Sequence, residues 1–168
     1  MIVQKCSLWK VAEVFFIEPT KIHYIKEISR KINLAHTSVK NHLITLQEES
    51  LIEQSNEGIF KGYKAIRENP DFIFHKKMAN LIFLKNSSLI EKLKEKYPKS
   101  IILFGSYDKG EDIESSDIDI FINAKKFDLR TEEYKKKLNR NIHLVFKEEV
   151  GKDLIESINQ GTILFGER

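Results

Sequence analysis

The sequence predicts an α+β chain of two domains, and three observations carry that reading. The first third places apolar residues at helical spacing and ends in two short strand-like runs. The last third carries apolar runs of strand length, among them Ile118, Ile120 and Ile122 with polar residues between, set among helical stretches. Between the two lies Arg67-Glu-Asn-Pro-Asp71, a polar breaker whose proline suits the first turn of a new helix. The expected divisions are residues 1–68, a helical linker region 69–97, and residues 98–168.

In chain order, Leu8 to Phe16 reads as a helix that ends before Pro19, and Tyr24 to Lys31 as a second, with Ile25, Ile28 and Ile32 on one face. A tight Asn33-Leu34-Ala35 connection leads to a longer amphipathic helix, about His36 to Glu49, with Val39, Leu43 and Leu46 as its core stripe. Leu51 to Gln54 and Ile59 to Ile66 flank the polar segment Ser55-Asn-Glu-Gly58 and read as a two-stranded hairpin. Two helices joined by a short turn, followed by a hairpin, resemble a winged helix-turn-helix domain of the kind found in archaeal and bacterial transcription regulators. That resemblance implies double-stranded DNA as a partner. It assigns base-edge contacts to His36, Thr37, Ser38 and Asn41, and phosphate contacts to Lys40, Lys61, Lys64 and Arg67. The competing reading is a docking or dimerisation module, in which the polar residues at the helix start are caps. His42, beside the core stripe, reads as structural.

The region from Asp71 to Lys96 is helical by pattern, with Asn86-Ser87-Ser88 as the cap of a second helix from Leu89 to Tyr97. Its apolar residues predict burial against a neighbour or a homodimer surface. Phe72, Phe74 and Phe83 read as core or interface.

The apolar run Ile101 to Phe104 meets Gly105 and Ser106, where a strand can turn sharply and present N–H groups and a hydroxyl to a phosphate. A second strand follows, with Asp117 and Asp119 on one face and Ile118, Ile120 and Ile122 on the other. Two adjacent carboxylates repel unless a cation lies between them, and a hard ion such as Mg²⁺ is usually held by one or two carboxylates and the phosphates of a nucleotide. These residues predict a nucleotide and metal site.

Gly105-Ser106, a spacer over 107–116, and Asp117-Ile118-Asp119 together resemble the DNA polymerase β-like nucleotidyltransferase superfamily. The opening Gly105-Ser106-Tyr107-Asp108-Lys109-Gly110 and the closing stretch Leu154 to Gly166 look most similar to its minimal nucleotidyltransferases. The resemblance implies a mixed sheet flanked by helices, and ATP or another nucleoside triphosphate as substrate. Gly105, Ser106, Lys109 and Ser116 then lie against the nucleotide, and Asp117 and Asp119 hold Mg²⁺, with Mn²⁺ as the alternative ion. The family's third carboxylate falls on the strand Asn141 to Phe146, at a position occupied here by His143. Histidine is a poorer ligand for Mg²⁺ than a carboxylate, but it can bind a softer ion such as Mn²⁺ or Zn²⁺, or act as a general base. The catalytic set is therefore Asp117, Asp119 and His143. The alternative is a binding site without transfer, in a DNA-binding regulator whose second domain senses nucleotide or docks a partner. The whole arrangement resembles archaeal-type fusions of a regulator and a nucleotidyltransferase. Minimal nucleotidyltransferases also partner small helical toxins, so a toxin-like helical protein is a further implied partner.

Composition sets the frame. A hydrophobic fraction of 41% over 168 residues suffices for folded cores, and one cysteine, Cys6, excludes an internal disulfide and fits a reducing, cytoplasmic setting. No apolar run approaches membrane-spanning length, and the N-terminus carries no basic segment leading into a small-residue cleavage site. The net charge of +3 is too small to argue for nucleic acid by itself. Lys125-Lys126 and Lys135-Lys136-Lys137 read as solvated faces.

Overall fold

The computed structural model describes residues 5–55 and 60–167, so the hairpin tip at 56–59 lies outside the described residues. The chain divides into two compact units, Met1–Lys76 and Lys77–Arg168.

The first unit contains α1 (Ser7–Ile17), α2 (Ile25–Ile32), α3 (His36–Glu48), β1 (Ile52–Ser55) and β2 (Gly62–Ala65), and the start of α4 (Pro70–Ser87). Val39, Leu43 and Leu46 are buried on α3, as their spacing predicts, and so are Val11 and Phe15 of α1 and Ile28 of α2, helices that pack against α3. Asn33 ends α2 in the left-handed conformation at φ 52°, and the Leu34 N–H returns to the Ser29 carbonyl at 3.1 Å. This closes the turn between α2 and α3 on the Ser29 carbonyl. β1 and β2 pair antiparallel from Ile52 against Ala65 to Ser55 against Gly62. A two-residue bridge joins His23 to Tyr63 of β2. Pro70 begins α4, where its missing N–H costs nothing, and the Asn69 side chain accepts the Asp71 N–H at 2.8 Å. Phe72 is buried against Phe16, whereas Phe74 is 60% exposed, so these two aromatics do not share one core. Lys76 is buried and donates to the Phe16 carbonyl at 2.7 Å, so its charge is held by a backbone oxygen.

The second unit takes the rest of α4, then α5 (Leu89–Lys94), β3 (Ser100–Phe104), α6 (Gly105–Lys109), β4 (Ile118–Ile122), α7 (Glu132–Leu138), β5 (Ile142–Phe146), α8 (Lys152–Gln160) and β6 (Thr162–Gly166). The expected linker over 69–97 thus divides between the two units. The break between α4 and α5 falls at Ser88, φ 66°, and the Ser87 hydroxyl accepts the Leu89 N–H at 3.1 Å.

The sheet runs β5-β4-β3-β6, with β4 and β5 parallel and the other pairings antiparallel. Its two faces are both covered. Ile101, Leu103, Ile118, Ile120 and Ile122 lie in one cluster with Leu89 and Leu93 of α5 and Tyr134 and Leu138 of α7. Ile102, Phe104 and Val145 lie in a second cluster with Ile158 of α8. Gly161 lets β6 enter the sheet, because a Cβ there would sit 2.4 Å from the Leu103 carbonyl oxygen. Among the described residues, no helix is long and apolar enough to cross a membrane.

Candidate active site

β3 delivers the chain into the site. Its five residues are all buried, and it ends at Gly105, whose φ of 79° is a conformation that side chains disfavour. α6 then makes a single turn and stops at Gly110, φ 78°. The sharp turn expected at Gly105-Ser106 is therefore the start of a one-turn helix.

β4 returns antiparallel to β3 and sets Asp119 opposite Phe104. The Asp119 carboxylate lies against Gly105, where an added Cβ would meet Oδ2 at 2.6 Å. Glycine at 105 thus serves both the backbone angle and the space that Asp119 occupies. Asp117 precedes β4, which begins at Ile118, so only the second aspartate stands on the strand itself. Asp117 is exposed and Asp119 half-buried, while Ile118, Ile120 and Ile122 are fully buried, as the alternation requires.

β5 runs parallel to β4 with His143 in register with Asp119. His143 Nδ1 lies 3.0 Å from Asp119 Oδ1. A carboxylate only accepts, so Nδ1 carries the hydrogen and Nε2 of the neutral ring holds the free lone pair. Asp119 therefore sits between the Gly105 turn on one side and an oriented imidazole on the other. The donor atoms of Asp117, Asp119 and His143 do not all lie within 4.8 Å of one another, whereas those of Glu18, His23 and Glu27 in the first unit do.

The remaining residues that the sequence suggests for nucleotide binding are placed as follows. Ser106 begins α6 and is half-buried, and Lys109 is exposed. Ser116 accepts the Ile113 N–H through its hydroxyl at 3.0 Å and donates its own N–H to the Ile113 carbonyl at 3.0 Å. It therefore braces the loop that delivers Asp117. Glu149, just past β5, pairs with Lys126 and accepts the Phe146 N–H at 3.1 Å. The Lys126 ammonium, helped by that backbone bond, holds the Glu149 carboxyl below its usual range.

Beneath the site runs a buried polar network that motif reading missed. Asn80 of α4 donates to the Tyr107 carbonyl at 2.8 Å and to Asp112 Oδ1 at 2.7 Å. Arg140 faces Asp112 Oδ2 at 3.4 Å, with side-chain exposures of 3% and 0%. The Tyr107 hydroxyl reaches the Asn80 carbonyl at 3.5 Å. Burial, reinforced by Asp112 and opposed by Arg140, pushes the Tyr107 phenol well above its ordinary value, so it remains a neutral donor. The network ties α6 and the loop before β4 to α4. The only cue to it in sequence was the aromatic residue after Gly-Ser.

In the first unit, His36, Thr37, Lys40 and Asn41 are exposed at the start of α3, and Ser38 is half-buried. Lys61 and Arg67 are exposed, while Lys64 pairs with Glu53 at 3.3 Å. A ring nitrogen of His42 lies 2.8 Å from the Ser7 hydroxyl, which ties α3 to α1.

A mixed four-stranded sheet with helices on both faces and an aspartate-bearing strand beside a Gly-Ser turn fits a nucleotidyltransferase fold. Residues 87–164 match the family model described as a nucleotidyltransferase domain, a span that contains Gly105, Ser106, Lys109, Ser116, Asp117, Asp119 and His143. No curated protein and no solved structure matches the chain.

Proposed function

We propose that the second unit binds a nucleoside triphosphate with Mg²⁺ and transfers its nucleotidyl group to an acceptor hydroxyl, releasing pyrophosphate. The observation that carries this reading is the position of Asp119, in register with His143 and packed against Gly105. Two hard carboxylate donors fit one Mg²⁺ shared with phosphate oxygens, and Asp117 and Asp119 would hold it. When bound, such an ion neutralises phosphate charge and favours departure of the pyrophosphate. The donor set provides no third carboxylate for a second ion.

His143 takes the missing carboxylate's work as a base. Asp119 holds its Nδ1–H, and Nε2 accepts the proton of the acceptor hydroxyl as that oxygen bonds to the α-phosphorus and the bond to the bridging oxygen breaks. Gly105 and Ser106 hold the phosphates, and Ser116 fixes the approach of Asp117. The exposed front of α3 with Lys61 and Arg67 supports a DNA-binding role for the first unit, in the manner of a winged helix.

Incubation with α-labelled ATP, GTP, CTP and UTP and Mg²⁺ or Mn²⁺, with candidate acceptors, tests the reaction. Label transfer lost in Asp117→Ala and Asp119→Ala, and retained in Lys136→Ala, is the expected result. Because His143 stands where a carboxylate would be, a second reading is a nucleotide sensor. Nucleotide binding without transfer under every combination would establish that instead. For the first unit, DNA affinity that is independent of salt, or unchanged in Lys40→Ala and Asn41→Ala, would remove the DNA assignment.

A further inference from the structure

We infer that Glu18, His23 and Glu27 form a site for a divalent transition-metal ion of the zinc type, independent of the nucleotide site. His23 is fully buried, and its Nε2 lies 3.0 Å from the Glu18 carbonyl oxygen. A carbonyl oxygen only accepts, so Nε2 carries the hydrogen and Nδ1 of the neutral ring presents a lone pair. This Nδ1 is buried and has no hydrogen-bond partner among the described residues. It faces Glu27 Oε1 at 3.7 Å.

Two lone-pair donors pointed at each other repel unless a cation stands between them. The separation is too long for a hydrogen bond but close to the edge of a zinc tetrahedron, about 3.4 Å for bonds of about 2.1 Å. A Glu18 carboxylate oxygen completes a set in which all three donor atoms lie within 4.8 Å of one another. That carboxylate is now bound by Lys21 and Lys31, whose side chains are 56% and 39% exposed, so water can solvate both ammonium groups when an ion binds. Glu27 is 48% exposed and leaves a side of the site open to water. Donation of the far ring N–H to a backbone carbonyl is the usual way a ligating histidine is oriented. An imidazole among the donors favours zinc-type ions over Mg²⁺.

The three donors come from the end of α1, from the residue bridged to Tyr63 of β2, and from the first turn of α2. An ion there would pin the approach to α2 and α3 against the hairpin.

The test is titration of the full chain with ZnCl₂ in chelator-free buffer, followed by calorimetry and by melting temperature with and without EDTA. Zinc binding that raises the melting temperature is expected. Glu27→Gln, at an exposed position, should fold and weaken zinc binding at least about tenfold. The double variant Asp117→Asn with Asp119→Asn should retain it, which separates this site from the nucleotide site. No zinc-dependent stabilisation of the unaltered chain, or equal affinity in Glu27→Gln, would overturn the inference.

Discussion

Replacing Gly105 by alanine should damage the second unit at the site itself. The backbone at φ 79° costs an alanine about 1–2 kcal/mol that glycine does not incur. The added Cβ would lie 2.6 Å from Asp119 Oδ2, closer than any real contact, so the carboxylate must move. Moving it breaks the 3.0 Å bond to His143, which is half-exposed and contributes at most about 1 kcal/mol. The sum is about 1–3 kcal/mol, equivalent to roughly 5- to 150-fold in an opening equilibrium. Hydrogen exchange of the β3 and β4 amides, read by mass spectrometry under native conditions, measures that change directly. Gly151→Ala is the comparator: its Cβ meets nothing within 4 Å, and its change should stay below about 1 kcal/mol. If Gly105→Ala leaves exchange in β3 and β4 no faster than Gly151→Ala does, the packing of Asp119 on Gly105 is not what the geometry implies.

Arg140→Leu should destabilise the second unit by about 3–5 kcal/mol in urea unfolding, because it leaves the fully buried Asp112 carboxylate without its cation. His143→Asp should set two carboxylates side by side in register on β4 and β5, lowering the melting temperature without metal and making Mg²⁺ restore it. Calorimetric scans in EDTA and in Mg²⁺ check this, and a melting temperature indifferent to the ion would count against a shared site. Glu149 titrates below its ordinary 4.5 in the folded chain because Lys126 holds it ionised. A depressed folded value stabilises above the unfolded value and is lost as pH falls below it, so Glu149→Gln should flatten that small acid-side loss in melting scans.

Much of the second unit was legible because its signals are local. Ile118, Ile120 and Ile122 alternate with Asp119 and Phe121, and period-two alternation fixes which side chains face the core. The family resemblance placed His143 on the strand Asn141 to Phe146, though not its hydrogen bond to Asp119, which depends on the register between parallel strands. In the first unit Val39, Leu43 and Leu46 showed the buried stripe of α3. The start of β4 after Asp117 was misplaced by one residue, since an aspartate beside an isoleucine does not announce where a ladder begins. Asn80, Asp112 and Arg140 left no trace because they come from three distant segments and show no periodicity. Glu18, His23 and Glu27 escaped for a similar reason: they meet across a turn, where no repeat relates them.

The place of β5 at the rim of the sheet separates folding from chemistry at position 143. The His143 side chain is 60% exposed, so the core gains nothing from its identity. Asp119, by contrast, is wedged on an interior strand against a glycine that tolerates no neighbour. Exchanging residue 143 for an uncharged polar group therefore costs little packing, and aspartate there adds only repulsion from Asp119, so under the proposed reading transfer can be retuned or silenced at this one position while Gly105 and Asp119 stay in place. Under the proposed reading, position 143 is where the chemistry is tuned, and Gly105 with Asp119 is the fixed frame.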